Sequence, residues 1–484
     1  MKRVCSILSC VFFAIILFFP PALSAAEKEY TIMVYLNADD PILDSCGVKD
    51  QDEMAQVGSN EWLNVVTLID GYTSPAMLNY MEKGSVKKLA DMGEIDMGDY
   101  KQLVKFASDM IDRFPAKHYV LVVWDHGSGW NGNKNDGPTK SGSAALRRGW
   151  SGEKNSGSTS KKWISRDSTS GNFITTAELS LALSEIKNKI GRNLDVFWMD
   201  ACLMQMMEVA FAVNDDCDYI IASEDLEPVD GSPYDQILSR LNPQVSPDEF
   251  CRIVTREFVD SYSGGSQGHD FVCLSTLICS KLDGLKTALD EFANAAMASN
   301  FTFEFTTGLT KGKKFYDPLS RGIGDSTSID IGDFMTILKS EIKNEAFQSI
   351  IGNCEKALEE VVLITGDTYR DSHPKGLAIY FPEKLNFFDK EYHNLAFSKA
   401  SSWDEMVRDY FNKGTAAHIL ACVQEGNATE LREVVRTSHA FNPEFTPDLI
   451  SKLNFRVLCE GDVPEFIQAE AKNLVEELKT SSIH

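Results

Sequence analysis

The sequence predicts an α/β protein: an α/β/α sandwich around a mostly parallel central sheet, with a small all-helical appendage at the C-terminal end. Two observations predict it. Continuous apolar, β-branched segments recur at residues 30–36 (YTIMVYL), 62–69 (WLNVVTLI), 118–124 (HYVLVVW), 194–199 (LDVFWM) and 218–222 (DYIIA). Strands apolar along their whole length are buried on both faces, as in a parallel sheet covered by helices. Stretches of helical period lie between them, and strict alternation of strand and helix belongs to that architecture.

Taken in order, residues 99–113 put Leu103, Phe106, Ala107, Met110 and Ile111 on one helical face, and Pro115 stops the run. Residues 175–190 read as an amphipathic helix opened by Thr175 or Thr176, and 203–213 as a helix that starts directly after the fourth strand. Past residue 240 the helical stretches are Pro247–Tyr262 and 282–298, with strands near 271–276 and 376–381. Beyond about residue 412 the pattern changes to short helices. There Glu425-Gly426-Asn427 recurs as Glu460-Gly461-Asp462, a shift of 35 residues (461 − 426), faintly like a helix-turn-helix repeat. An ordinary helical appendage accounts for the same pattern.

The first 25 residues read as a signal peptide: Lys2 and Arg3, an apolar run to Phe19, then Pro20, Pro21 and small residues up to Ala26. The apolar run is shorter than the roughly 20 residues a spanning helix needs. Export to a periplasm or the cell exterior is therefore expected, without stable membrane insertion after cleavage. The 71 acidic against 47 basic residues give a net charge of −24. That balance argues against nucleic acid or anionic lipid as a partner, because both require clustered Lys and Arg. Nine cysteines follow the leader (46, 202, 217, 251, 273, 279, 354, 422 and 459), sparse and never spaced C-x-x-C. A disulfide framework or zinc ribbon has a different pattern, and the odd count leaves room for a free thiol.

Residues 131–172 contrast with the rest. They are rich in Gly, Ser, Asn and Lys, carry Arg147, Arg148, Lys154, Lys161, Lys162 and Arg166, and show almost no apolar period. A loop this long within a compact domain is usually functional or disordered.

Reactive groups gather beyond the carboxyl ends of parallel strands. The third strand ends in Asp125-His126-Gly127 and the fourth in Asp200-Ala201-Cys202. A crossover helix between them makes both strands run the same way, so His126 and Cys202 emerge at one sheet edge. An imidazole or a helix N-terminus beside a thiol lowers its pKa from about 8.5 and favours the nucleophilic thiolate. The backbone N–H groups of Gly127 and Cys202 are candidates for an oxyanion hole. A small buried hydrophobe at 202 and a capped turn at 126 would produce the same spacing. The G-x-G-x-x-G match at 127–132 is set aside, since no helix opens there.

The segments YTIMVYLNADD (30–40), LADMGEIDMGD (89–99), YVLVVWDHGSGW (119–130), DSTSGNFITTAEL (167–179), DVFWMDACLMQMMEVA (195–210), ASEDLEPVDGSPYDQIL (222–238) and KGLAIYFP (375–382) together resemble the clostripain family of cysteine peptidases. Its relatives are caspases, legumains and gingipains. The segments occur in the family's order across roughly residues 28–412, so the resemblance implies a caspase-like peptidase domain over 26–412, leaving 413–484 as the helical segment. It implies an endopeptidase with His126 and Cys202 as its catalytic pair. An acidic S1 pocket is implied at Asp200 and Asp230, and carboxylates there would select Arg or Lys through charge-assisted hydrogen bonds. The resemblance further implies a zymogen that cuts itself within 131–172, for which Arg147 and Arg148 are the preferred sites.

Substrates would be proteins or peptides containing Arg or Lys, and the C-terminal helices could serve an unknown protein partner. No cofactor or metal is required by the sequence. Calcium enters by family analogy alone, and the alternation Asn131, Asn133, Asn135 fails as an EF-hand because residue 142 is Gly. Two other functions share the scaffold: a catalytically silent exported binding protein, and a transpeptidase.

Overall fold

The computed structural model describes residues 27–130, 163–315, 327–382, 388–441, 446–454 and 463–481. The leader, Arg147, Arg148, and the Glu460-Gly461-Asp462 copy of the repeat lie outside them.

The architecture is a nine-stranded mixed sheet between helical layers. We number its strands β1 (Lys28–Ala38), β2 (Leu63–Gly71), β3 (Ser74–Glu82), β4 (Ser85–Gly93), β5 (Ala116–Trp124), β6 (Leu194–Asp200), β7 (Cys217–Ala222), β8 (Cys273–Ile278) and β9 (Val362–Asp367). Their spatial order is β9-β8-β7-β6-β5-β1-β2-β3-β4. The centre, β7-β6-β5-β1-β2, is parallel, and two antiparallel strands close it at each end.

Because strand side chains alternate between faces, each central strand feeds two cores. Met33, Tyr35, Leu121, Val123, Phe197 and Met199 point into the larger one. There they meet α2 (Tyr100–Arg113) and α3 (Thr176–Ile190). Ile32, Val34, Val120, Val122, Val196 and Trp198 point into the other, against α1 (Asp44–Val57) and Pro247–Tyr262. Helix α3 is opened by a capping box between Thr175 and Glu178 and closed by Gly191 in the left-handed region. The expected sandwich is present.

Four features differ from expectation. The β3–β4 hairpin was not read, because β4 is exposed or half-buried throughout and lacks an apolar pattern. Helix α1 was missed because only a few of its residues, among them Met54 and Ala55, are buried and most are polar. The helix after β6, α4 (Met207–Val213), starts four residues later than 203. Residues 201–206 instead form an irregular turn, with Leu203 N–H donating to Asp225 O at 3.0 Å and Gln205 N–H to Ser223 O at 2.9 Å. Finally, residues 163–172 are not loop throughout: Ile164–Arg166 pairs with Phe173–Ile174, and Trp163 is buried.

The C-terminal helices form a third core around Ile419, Val423, Leu431, Leu449, Ile467 and Leu474. The expected boundary near 412 falls inside one continuous helix, Trp403–Glu425. Its first half (Trp403, Met406, Val407, Phe411) fills the large core and its second half the small one.

Phe197 on β6 is fully buried. Phe197→Ala should cost about 3–5 kcal/mol of stability in denaturant unfolding. A loss below about 1 kcal/mol would contradict this packing.

Candidate active site

The register of the two central strands assembles the site. Trp124 of β5 lies opposite Asp200 of β6 in a parallel pair, so the two chains leave the sheet together. Two residues further on they carry His126 and Cys202. Gly127 packs directly on the turn: a Cβ there would come 2.5 Å from the Cys202 carbonyl oxygen and 3.1 Å from the Ala201 Cβ. Glycine is required here because the two loops touch, a closer constraint than substrate access. Among the described residues, neither the Gly127 nor the Cys202 N–H has a backbone acceptor.

The His126 loop is held from below. The Asp125 carboxylate accepts from Asn37 Nδ2 at 3.4 Å and from the Arg166 N–H, and Ser128 N–H donates to Trp163 O at 2.9 Å. Trp130 is buried edge-on against Tyr380 and Tyr392, with ring centroids 5.1 Å away in each case. Glu208, which also falls in the matched segments, is structural: it accepts from Tyr380 N–H and the Tyr392 hydroxyl.

One partner of the imidazole escaped the sequence reading. Asp40 Oδ1 lies 3.7 Å from His126 Nε2. Burial alone would raise the Asp40 carboxyl, but the nearby imidazole and the N–H groups of Ile42 and Leu43 hold it below its usual range. The adjacent acids Asp39-Asp40 carry no apolar period, so a strand-and-helix reading treats them as an ordinary turn.

Cys202 is half-buried. Its Sγ accepts from Glu227 N–H at 3.2 Å and lies 3.7 Å from Glu227 O. Burial first, and then the Glu227 carboxylate, push the thiol up to about 12. The helix N-terminus expected to lower it is displaced to Met207. Leu203 takes φ +63°, a left-handed conformation that costs a non-glycine residue roughly 1–2 kcal/mol. The turn bearing the thiol is thus strained, and residues 225–227 cover it.

Acids gather around Asp200, two residues before the thiol. Asp200, buried, accepts from Ser232 Oγ at 3.2 Å and from the Tyr234 hydroxyl at 2.6 Å. Burial raises its carboxyl against the hydrogen bonds from Glu227, Tyr234 and Ser232. Glu227 is held well above the ordinary range by burial and by Asp200. A hydrogen bond between two carboxyls requires a proton on one of them. Asp50 of α1 is fully buried beside Trp124 and Gly231, and burial followed by Asp200 lifts it well above its usual range against the Trp124 indole. Among the described residues none of the three makes an ion pair. The expected second pocket acid, Asp230, stands at the surface, its carboxylate 3.0 Å from Lys49 Nζ. Asp50 and Glu227 were invisible in the sequence because acids on a polar helix or in a Pro-rich turn are ordinarily solvated.

Two groups of side chains have metal-binding proximity: His418, Cys422 and Glu430 on the C-terminal helices, and Asp39, Glu94 and Asp167 near the His126 loop. The first is explained by an exposed His418–Glu430 contact at 2.8 Å between neighbouring helices. Eight cysteines are unpaired thiols among the described residues, including Cys217 and Cys279 with sulfurs 3.5 Å apart.

This fold is that of the caspase-like α/β cysteine peptidases. The family model "Clostripain family" matches residues 34–143 and 148–410. The chain belongs to the clostripain family and is a cysteine endopeptidase. No curated protein sequence matches it. Among solved structures it is similar to iotapain, a secreted C11 cysteine protease of Bacteroides thetaiotaomicron, at 18% identity and a TM-score of 0.57, over 78% of this chain and 99% of that one. A secreted C11 protease of the same organism with an irreversible peptide inhibitor gives 18%, 0.56, 78% and 99%. An inactive zymogen C11 protease of Parabacteroides distasonis gives 17%, 0.56, 77% and 98%. At these identities the likeness is one of fold. Among the described residues no helix is long and apolar enough to cross a membrane.

A thiol held near 12 is almost wholly protonated at neutral pH. Alkylation of Cys202 by iodoacetamide in the uncleaved chain should rise about tenfold per pH unit, with no plateau up to about pH 10. Peptide mapping would follow it, and a plateau near neutrality would reveal a preformed thiolate–imidazolium pair instead.

Proposed function

We propose that the chain is an exported endopeptidase in which Cys202 and His126 form the catalytic pair, that it cuts after Arg or Lys, and that it processes itself within residues 131–172. The carrying observation for specificity is the group of acids around Asp200: buried Asp50 and Asp200, and half-buried Glu227, whose N–H donates to the Cys202 thiol. A guanidinium or ammonium entering there would ionise them and supply the missing countercharge. Asp230, at the rim, would contribute only if Lys49 gave way. The apolar leader and the two neighbours described as secreted support export, and the neighbour described as a zymogen supports self-processing.

Asp40 faces His126 Nε2, leaving Nδ1 to take the thiol proton as Sγ attacks the peptide carbonyl. The N–H groups of Gly127 and Cys202 would stabilise the oxyanion. His126 then gives that proton to the leaving amine, and a water activated by the same ring hydrolyses the thioester. With the resting thiol so weakly acidic, withdrawal of residues 225–227 on substrate binding is part of activation.

Cys202→Ala should abolish hydrolysis of Arg and Lys fluorogenic peptides and leave the chain uncleaved. Turnover that survives the substitution would eliminate the thiol as nucleophile, while an inert wild-type chain would favour the silent binding protein.

Asp200→Asn should lower kcat/KM on Arg substrates about 10- to 100-fold and leave norleucine substrates within severalfold. The sign of the pH effect follows from the raised carboxyls. They are protonated at low pH and ionise as it rises, so KM for Arg should fall as the pH rises above the ordinary carboxylate range. Equal turnover of Arg and norleucine peptides would refute the acidic pocket.

A further inference from the structure

Away from the peptidase site, a mixed group of ligating side chains sits where the long helix Trp403–Glu425 turns into its neighbour. His418 and Cys422 are four residues apart in that helix, so their side chains lie one above the other on a single face. Gly426, in the left-handed region at φ +70°, reverses the chain. Asn427 then caps the helix Ala428–Phe441 by accepting from Glu430 N–H at 3.1 Å. The reversal sets Glu430, in the first turn of that second helix, against the face that carries His418 and Cys422. One ligand atom from each of the three residues lies within 4.8 Å of the others.

The 2.8 Å contact between His418 Nε2 and Glu430 Oε1 accounts for two of the three coming together. It leaves the third unexplained. Cys422 belongs to the apolar core of the bundle and is 1% exposed, yet its thiol stands beside this polar pair. Among the described residues, the only hydrogen bond to its sulfur comes from its own backbone N–H. A thiol that serves as a small hydrophobe alone has no use for such neighbours. Glu430 is oriented from outside the group: Asn427 Nδ2 donates to its Oε2 at 2.7 Å, which leaves Oε1 for the other two ligands. Outer residues that fix a carboxylate in this way are a regular part of metal centres.

Thiolate, imidazole and carboxylate together select a borderline-soft ion and disfavour calcium and magnesium, which take oxygen ligands. Zinc bonds sulfur at about 2.3 Å, imidazole nitrogen at about 2.0–2.1 Å and carboxylate oxygen at about 2.0–2.2 Å. Around a tetrahedral ion these lengths put ligand atoms about 3.4–3.6 Å apart, inside the present spread. The ion would take the place of the proton between His418 and Glu430, and the thiol proton would pass to solvent. Three protein ligands leave the fourth position to water, on the side where His418 is exposed.

We propose that His418, Cys422 and Glu430 bind one zinc ion, which clamps the second half of the long helix to Ala428–Phe441 and stiffens the terminal bundle. The site lies beyond residue 410, where the family match ends. It does not depend on the Cys–His reading.

The test uses the full-length Cys202→Ala chain, kept reduced and stripped with EDTA. Zinc chloride is titrated in competition with a chromophoric chelator, and cobalt(II) chloride serves as the spectroscopic probe. The expected result is one zinc per chain, a thiolate-to-cobalt charge-transfer band in the ultraviolet, and an unfolding midpoint several degrees higher with zinc at about a hundred times its Kd. Cys422→Ser should remove the band and weaken zinc binding about a hundredfold. His418→Ala, at an exposed position that folding tolerates, should weaken it about tenfold or more, and decides the matter alone if Cys422→Ser does not fold. Cys46→Ser, at a half-buried thiol elsewhere, should change neither band nor affinity. Absence of stoichiometric zinc binding in the parent overturns the proposal. So does cobalt bound without the thiolate band, which would be an ion on surface carboxylates, or an affinity that survives both substitutions.

Discussion

Everything at the site depends on the parallel register between β5 and β6. A shift of one residue in either strand would turn every side chain to the opposite face of the sheet, exchanging the contents of the two cores. It would also separate Gly127 from the Cys202 carbonyl, a contact tight enough to exclude even a methyl group. The register is in turn fixed by burial. Val120 through Trp124 and Val196 through Asp200 are buried without interruption, so no alternative pairing keeps both faces dry. Catalytic geometry and folding stability are the same constraint seen at two places along the strands.

The acid surplus of the chain is not only a surface property. Part of it is buried: Asp50 and Asp200, with half-buried Glu227, form one group, and Asp39, Asp70 and Asp167 lie near the ends of β1, β2 and Ile164–Arg166. Such groups weaken the folded state until something cationic neutralises them. The protein therefore holds electrostatic energy in reserve around the loops that carry His126 and Cys202. The strained turn at Leu203 adds to this.

The sandwich was legible because its five central strands are apolar from end to end, and no turn or helix imitates that pattern. The antiparallel edges were not, since β4 alternates among half-buried and exposed residues and β9 is half-buried or exposed throughout. The strand ends put His126 and Cys202 forward as candidates beside plainer readings, and the resemblance added Asp200 and favoured the pair. Asp40, Asp50, Asp70 and Glu227 could not be found that way. Their significance comes from what they face in the folded chain, His126 for Asp40 and other acids for the rest, whereas in the sequence they sit among many other acids. The late start of α4 was missed for a similar reason: Leu203 to Met206 are apolar enough to continue a helix, but tertiary hydrogen bonds to residues 223 and 225 hold them in a turn.

The helix Trp403–Glu425 belongs to two cores at once. At about 1.5 Å per residue it is a rod roughly 34 Å long, with Trp403 bonded through its indole N–H to Tyr380 O at 2.8 Å at one end and Val423 packed in the terminal bundle at the other. Tyr380 also stacks on Tyr392 and borders Trp130, four residues along the chain from His126. One unbroken helix therefore spans from the terminal bundle to the aromatic rings around Trp130, so the two cores share a rigid element and the appendage is no loosely tethered tail.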